Sequence, residues 1–357
     1  MPHLLVDISF HGFGHLSQTA PVVNELARRL PGLEITLRTA APPAILRQRF
    51  HCDFRHIPVA FDFGMQMANA LDVEREKSAQ AYRVFHADWK EKVAREAQAM
   101  RALKPDVLLA NVPYLSLAAA SAAGVPAAGM CSLNWFDIYR HYCAQDSACN
   151  EVSAQMLEAY NSARCFLKIQ PAMPMPDFSI TRSIGPIVRE GQNQRAQLSE
   201  KLRLKEAEKL VLVAMGGMEF RLPVESWPRL PGVRWLIPQA WEVKREDMPP
   251  MESMGMGFAD LLASCDAILT KPGYGTFAEA ACSGVPVVYA ARKDWPEEPY
   301  LVEWLRRHGI CDEVERERLL AGELEEIITE IWRMAKPPRP LATGASEAAQ
   351  YLLENYF

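Results

Sequence analysis

The sequence predicts an α/β protein made of two Rossmann-like domains. Three observations carry that expectation: short β-rich runs alternate with helical patterns, a proline-rich stretch divides the chain, and one βα segment recurs in both halves. Such alternation implies parallel sheets covered on both faces. With 357 residues and 49% apolar composition, the chain can fill about two cores of roughly 100–200 residues each.

The first half, residues 1–170, opens with the strand LLVDISF, a helix through APVVNELARRL and the strand LEITLRTA. A long polar helix is expected around 74–103, then DVLLAN, a helix over 113–123, the run PAAGMCS and a last strand near RCFLKIQ. Residues 171–187, PAMPMPDFSITRSIGPI, lack periodicity and read as a connector. A second βα series fills 188–335: KLVLVAMGG, VRWLIPQ, DAILTK, PVVYAA and amphipathic helices. KPPRP then breaks the chain, and 336–357 ends in the helix ASEAAQYLLENY.

The net charge of −5 gives no global basic field for nucleic acid or anionic lipid, so small-molecule partners are expected; peripheral membrane contact is not indicated. Residues 107–136 carry no charge and are long enough to span a bilayer, but Asn111, Pro113, Gly124 and Pro126 interrupt them where a strand–helix–strand unit would turn. The N-terminus lacks the pattern of a signal peptide, which predicts a cytoplasmic location. The eight cysteines show no CxxC pair and read as reduced thiols, and no histidine–carboxylate cluster has metal-ligand spacing. No metal and no cofactor is expected.

DVLLANVPYLSLAAASAAGVP (106–126) lies without gaps on DAILTKPGYGTFAEAACSGVP (266–286). Identities fall at Asp106/Asp266, Leu109/Leu269, Tyr114/Tyr274, Ala118/Ala278, Ala120/Ala280 and Gly124-Val125-Pro126/Gly284-Val285-Pro286. The differences are more informative. Asn111, Pro113, Leu115 and Ala119 in the first copy become Lys271, Gly273, Gly275 and Glu279 in the second. Glycines at a helix start let an anion approach free amides, which makes the C-terminal half the nucleotide half. There Thr276 can add a hydroxyl, and Glu279, one turn deeper, can accept hydrogen bonds from a ribose diol. The same residues also fit a capping box, Thr276-x-x-Glu279.

HGFGHLSQTAP follows the first strand without matching a dinucleotide fingerprint, because Ser17 holds the third glycine position. It supplies Gly12, Gly14 and two histidines, His11 and His15, either of which can take a proton near neutral pH or merely brace the loop. Glu297 and Glu298 in RKDWPEEPYLVEW can accept from sugar hydroxyls or serve a helix dipole. Arg189 in GPIVRE can reach a diphosphate, and Gly216 and Gly217 permit close backbone approach. Asn134, Trp135 and Asp137 are candidates for the acceptor side, and FDFGMQMANALD (61–72) for an acceptor loop.

Together, HGFGH, GPIVRE and KPGYGTFAEAACSGVPVVYAARKDWPEEPYLVEW resemble the GT-B glycosyltransferases. They are most similar to the bacterial peptidoglycan GlcNAc transferase and the transferase-like N-terminal region of plant arabinokinases, the latter also through LNWFDIY (133–139) and PMPDF (174–178). The resemblance implies two domains facing across a cleft, a last helix crossing back to the first domain, and transfer of a hexosyl or N-acetylhexosaminyl group from a nucleotide-sugar, UDP by default, to an acceptor hydroxyl. It implies inversion without a metal. By resemblance His15 is the base, Glu279 the ribose ligand, Gly273, Gly275 and Thr276 the diphosphate loop beside Lys271 and Tyr274, and Arg189 a diphosphate contact. Glu297 and Glu298 approximate the acidic or amide pair on the donor sugar. MGMGF, with Met256, Gly257 and Phe258, stands where small-molecule transferases carry a tryptophan under the base. Epimerisation or hydrolysis of the donor, or a donor-binding sensor or scaffold without catalysis, are the alternatives.

Overall fold

A computed structural model of the chain describes residues 1–69, 72–216, 221–292 and 294–357. Among these, the strands form two wholly parallel sheets. The first contains β1 (His3–Ile8), β2 (Glu34–Arg38), β3 (Arg55–Ile57), β4 (Val107–Asn111), β5 (Ala127–Cys131), β6 (Cys165–Ile169) and β7 (Thr181–Ile184), in the order β3-β2-β1-β4-β5-β6-β7. The second contains β8 (Lys209–Ala214), β9 (Val233–Leu236), β10 (Ala267–Thr270), β11 (Val287–Tyr289) and β12 (Cys311–Glu313), in the order β12-β11-β10-β8-β9. β1, β4, β5, β8 and β10 are near-continuous apolar runs, as strands covered on both faces require.

Each sheet reverses its strand order once, between β1 and β4 and between β8 and β10. Open α/β sheets bind ligands in the crevice at the carboxyl ends of such strands. Those ends are occupied by the Gly12–His15 loop and Asn111 in the first domain, and by Gly216 and Lys271 in the second.

The proline-rich stretch is more than a connector, because Thr181–Ile184 extends along β6 as the edge strand of the first sheet. The helix expected around 74–103 is two helices, Arg75–His86 and Trp89–Leu103. The turn between them swings Trp89 back to stack on His86, which itself stacks on Tyr114, and no glycine or proline marks that break. The last helix, Gly344–Tyr356, lies against helix Gly14–Arg29, where Arg29 donates to Ser346 Oγ (2.6 Å) and Gln350 Oε1 (2.9 Å). Its first residue touches the connector: a Cβ on Gly344 would stand 2.0 Å from the Gly185 carbonyl oxygen.

The two domains are in contact. Trp295, from the loop after β11, is buried in the apolar cluster of the first domain near Tyr142. Asp294 beside it pairs with Arg75 and His141. No helix among the described residues is long and apolar enough to cross a membrane.

Candidate active site

The side expected to take a nucleotide is built on helix Tyr274–Ser283. Its N-cap is Gly273, in extended backbone, with no side-chain cap. Thr276 therefore sits inside the first turn, and the Thr276–Glu279 capping box does not form. A side chain on Gly275 would meet nothing within 4 Å, so the helix-start amides face open space. Glu279 is partly buried, and its carboxyl is pushed from 4.5 up to about 7 by desolvation, against the opposing pull of Arg49 and Arg189.

Arg189 is exposed in the connector beyond β7, and its guanidinium approaches Gly257. Gly257 in turn precedes the short helix Phe258–Ser264, whose first ring is 37% exposed. Met256 is partly buried and packs against the core. Lys271 approaches Gly216, whose φ of +84° and close neighbour leave little room for any side chain. Burial lowers the Lys271 ammonium to about 8, helped by Arg292 and opposed by Glu297 and Glu298. Gly217 lies outside the described residues.

On the opposite side, His15 is buried at the start of helix Gly14–Arg29. Its Nδ1 stands 2.9 Å from Asn111 Oδ1. A carbonyl oxygen only accepts, so Nδ1 carries the proton and Nε2 keeps its lone pair. Desolvation, together with the nearby His11, lowers His15 to about 4. His11 pairs through Nε2 with Asp62 Oδ1 (2.8 Å). Asp62 also accepts from Ser9 Oγ (2.5 Å) and Trp135 Nε1 (2.9 Å), and despite burial His11 and Ser9 hold its carboxyl below the ordinary range. Trp135 stands edge-on to both histidine rings. Gly12 (φ +132°) and Gly14 carry the loop with open space around them. Gly64 adopts φ +62° directly beneath the Trp135 ring, where a Cβ would be 2.9 Å from it.

Several expected site residues are used differently. The Tyr274 side chain is buried and its hydroxyl accepts from Ile187 N (2.8 Å), tying the helix to the connector, so only its backbone faces a ligand. Asn134 caps helix Trp135–Cys143, accepting from Asp137 N and donating to its carboxylate, both at 2.8 Å; neither forms an open cleft wall. Glu298 is buried against the Arg292 N–H of its own loop (2.9 Å), and Glu297 accepts from Ser132 Oγ (2.7 Å) and Trp295 Nε1 (3.2 Å). Both carboxylates are engaged within the protein, Glu297 because the closed interface brings the loop after β11 against the first domain and Glu298 because that loop folds back onto it. Of FDFGMQMANALD, Asp62 and Gly64 reach the histidines, while residues 70 and 71 lie outside the described chain.

Two participants are not singled out individually by the sequence. Asp62 falls in the stretch expected as an acceptor loop, but no motif marks its pairing with His11, far from it along the chain. Arg49 ends the short helix Pro43–Arg49, bonds Ser17 Oγ (3.0 Å) and acts electrostatically on Glu279 across the cleft.

The architecture is the GT-B fold, and solved glycosyltransferase structures share it along nearly the whole chain. The calicheamicin glycosyltransferase CalG4 superposes with a TM-score of 0.63 at 18% identity, covering 99% of this chain and 94% of that one. Arabidopsis thaliana UGT89C1 complexed with UDP gives 0.59 at 14% identity, over 100% and 94%. VinC in complex with dTDP gives 0.58 at 16%, over 99% and 95%. The L-arabinokinase of Arabidopsis thaliana is 26% identical over 324 residues, 88% of this chain. The match spans only 31% of that protein's length. No family model matches the chain.

Proposed function

We propose that the protein transfers a sugar from a nucleotide-sugar, UDP-linked by preference, to an acceptor hydroxyl, with inversion and without a metal. The observation that carries this reading is the uncapped, glycine-opened start of helix Tyr274–Ser283, with Glu279, Arg189 and Arg49 gathered around it. The helix-start amides hold the diphosphate, Glu279 accepts from the ribose diol, and Phe258 offers a surface for the base. The nucleotides in the UGT89C1 and VinC structures support the donor class, and the match to the arabinokinase supports a sugar-handling role.

In the reaction the acceptor hydroxyl gives its proton to His15 Nε2 while its oxygen bonds the anomeric carbon. The bond from that carbon to the diphosphate oxygen breaks, leaving its electron pair on the diphosphate, which the amides and arginines stabilise as charge develops. His15 is neutral at pH 7 and so is in the form that accepts a proton. His11 on Asp62 borders the same space and completes its polar wall.

Calorimetric titration with UDP, dTDP, GDP and ADP, followed by mass-spectrometric screening of UDP-sugars against hydroxyl acceptors, tests the proposal. One diphosphate should bind and one sugar should transfer, with His15→Ala losing turnover but keeping nucleotide affinity. Absence of binding by all four would refute the donor site. A second reading, a donor-binding module without transfer, is favoured by one observation: Glu297 and Glu298 are both engaged within the protein. Tight nucleotide-sugar binding with no product across the acceptor panel is its signature. Donor consumption without acceptor, yielding a free sugar or epimer, would mark hydrolysis or epimerisation.

A further inference from the structure

Between His15 in one domain and Glu297 in the other runs an unbroken line of side-chain hydrogen bonds. His15 Nδ1 faces Asn111 Oδ1 (2.9 Å), Asn111 Nδ2 donates to Gln18 Oε1 (3.1 Å), Gln18 Nε2 donates to Ser132 Oγ (3.0 Å), and Ser132 Oγ donates to Glu297 Oε1 (2.7 Å). Every member is buried, so water does not compete for these groups. All four bonds also run in one sense, from the histidine towards the carboxylate.

We infer that Glu297 of the nucleotide domain, acting through Ser132, Gln18 and Asn111, sets the tautomer of His15, so that the histidine is held ready to accept a proton only when the two domains are docked. The inference rests on the reading of His15 as the base, and Glu297, Ser132, Gln18 and Asn111 are positioning residues within it.

Only some of the possible hydrogen-bond networks are self-consistent. Two amides in series transmit direction: if one end of the line is an acceptor, the other must be a donor. With His15 protonated on Nε2 instead, Asn111 would turn its Nδ2 to the ring and its Oδ1 to Gln18. Gln18 would then present Oε1 to Ser132, whose hydroxyl would donate there and leave Glu297 Oε1 facing a lone pair. A buried carboxylate oxygen without a donor is the costlier arrangement, so the acceptor at the far end selects Nδ1–H at the near end. The selection holds while Oε1 carries no proton; burial displaces the Glu297 carboxyl upward, and the donors Ser132 and Trp295 oppose that displacement. The Cys131 thiol, 3.3 Å from Gln18 Oε1, points the same way.

What makes the line conditional is its last bond. Ser132 follows β5 of the first sheet, whereas Glu297 follows β11 of the second, and Trp295 beside it is seated in the first domain's core. Separating the domains removes Glu297 and Trp295 together. The Asn111–Gln18–Ser132 segment then keeps only the weaker bias of Asn111 Nδ2 towards the His15 carbonyl oxygen (3.5 Å) and of the Cys131 thiol towards Gln18 Oε1 (3.3 Å), and the second tautomer becomes populated.

The test is a 15N NMR measurement of the His15 ring on the free, full-length protein, which needs no substrate. Wild type should show Nδ1 protonated and Nε2 bare near pH 7. Ser132→Ala and Glu297→Ala, on opposite domains, should each convert this signature to a mixture, while Ser132→Thr, which keeps the hydroxyl, should restore it. In the transfer assay the same two variants should lower kcat by about 10–100-fold, the usual range for lost outer hydrogen-bond partners, with little change in the donor KM. An unchanged His15 signature in folded Ser132→Ala and Glu297→Ala would overturn the inference while leaving the transfer reading intact. A signature that responds as expected in a protein that transfers no sugar would establish the coupling and sink the transfer reading instead.

Discussion

Replacing Glu279 with glutamine should make the unliganded protein more stable at pH 8 while removing its response to nucleotide. The carboxyl of Glu279 rises from 4.5 to about 7 on folding, mainly through burial. Between those values the folded protein holds a proton that the unfolded chain has released. Stability from this group is therefore fully present below about 4.5 and is lost as the pH rises through 7. Each tenfold change in proton affinity is worth about 1.4 kcal/mol, and partial exposure discounts the total to roughly 1–2 kcal/mol.

For a chain of 357 residues, 1 kcal/mol moves the melting point by roughly 1.3 °C. Wild type should thus lose about 1–3 °C relative to Glu279→Gln between pH 5 and pH 8, with the two coinciding near pH 4.5. Nucleoside diphosphate at a hundredfold excess over its dissociation constant contributes about 2.7 kcal/mol, or roughly 3–4 °C, to wild type. The variant, lacking the ionised acceptor for the diol, should gain far less. Differential scanning fluorimetry across pH 4.5–8, with and without UDP, reads both effects. A Glu279→Gln protein that melts below wild type at pH 8, or that responds to UDP equally, would refute the assignment and make Glu279 a structural residue.

Four further outcomes follow from the geometry. Asp62→Asn leaves one of the donors Ser9, Trp135 or His11 opposite an amide N–H, and should cost about 1–3 kcal/mol of stability in a denaturant melt; an unchanged midpoint would remove the cluster from the fold's support. Gly344→Ala drives a Cβ onto the Gly185 carbonyl and should destabilise by about 2 kcal/mol or more, exposing the last helix to limited proteolysis. Because His15 is held near 4, turnover at saturating donor, where protonation of Glu279 near 7 does not limit binding, should stay level as pH falls from 7 to about 5.5, whereas a decline centred near 6.5 would show that a different group accepts the proton. The same displacement makes the fold lose stability as pH falls from about 6.5 towards 4, where the unfolded chain binds a proton that buried His15 refuses.

The parts of the site that were legible in the sequence are local. Gly273, Gly275 and Thr276 announce themselves because a strand, a glycine turn and a helix follow one another within a few residues, and His15 because it opens the equivalent helix in the other half. The internal match even carries a warning about Tyr274. Its counterpart Tyr114 is identical, and both are buried, so an identity shared by two copies with different chemistry marks packing instead of binding. The roles of Asp62, Arg49 and Ser132 were not legible, even though Asp62 lies in the stretch expected as an acceptor loop, since each acts on a residue more than 40 positions away or in the other domain. Glu297 was visible as an acid in the right loop, but its use as a bond across the interface depends on how the domains close.

The two copies diverge at the point where each chain turns out of its sheet. In the first domain that position is Asn111, wholly buried and bonded to His15 and Gln18; in the second it is Lys271, partly exposed and made less basic by burial and by Arg292. A neutral amide can transmit a hydrogen-bond direction without imposing charge on the histidine, so His15 stays neutral. A carboxylate at Asn111 would hold the imidazole in the same tautomer but would also raise its affinity for protons. On the proposed reading the two tasks are separate: orientation comes through amides from Glu297, while Lys271, Arg189 and Arg49 stand on the side where a diphosphate would leave. Asn111→Asp should therefore raise the His15 pKa well above 4 and bring an acid limb into the neutral range of the pH profile. An unaltered profile would show that the carboxylate at 297 already sets the charge as well as the orientation of the ring.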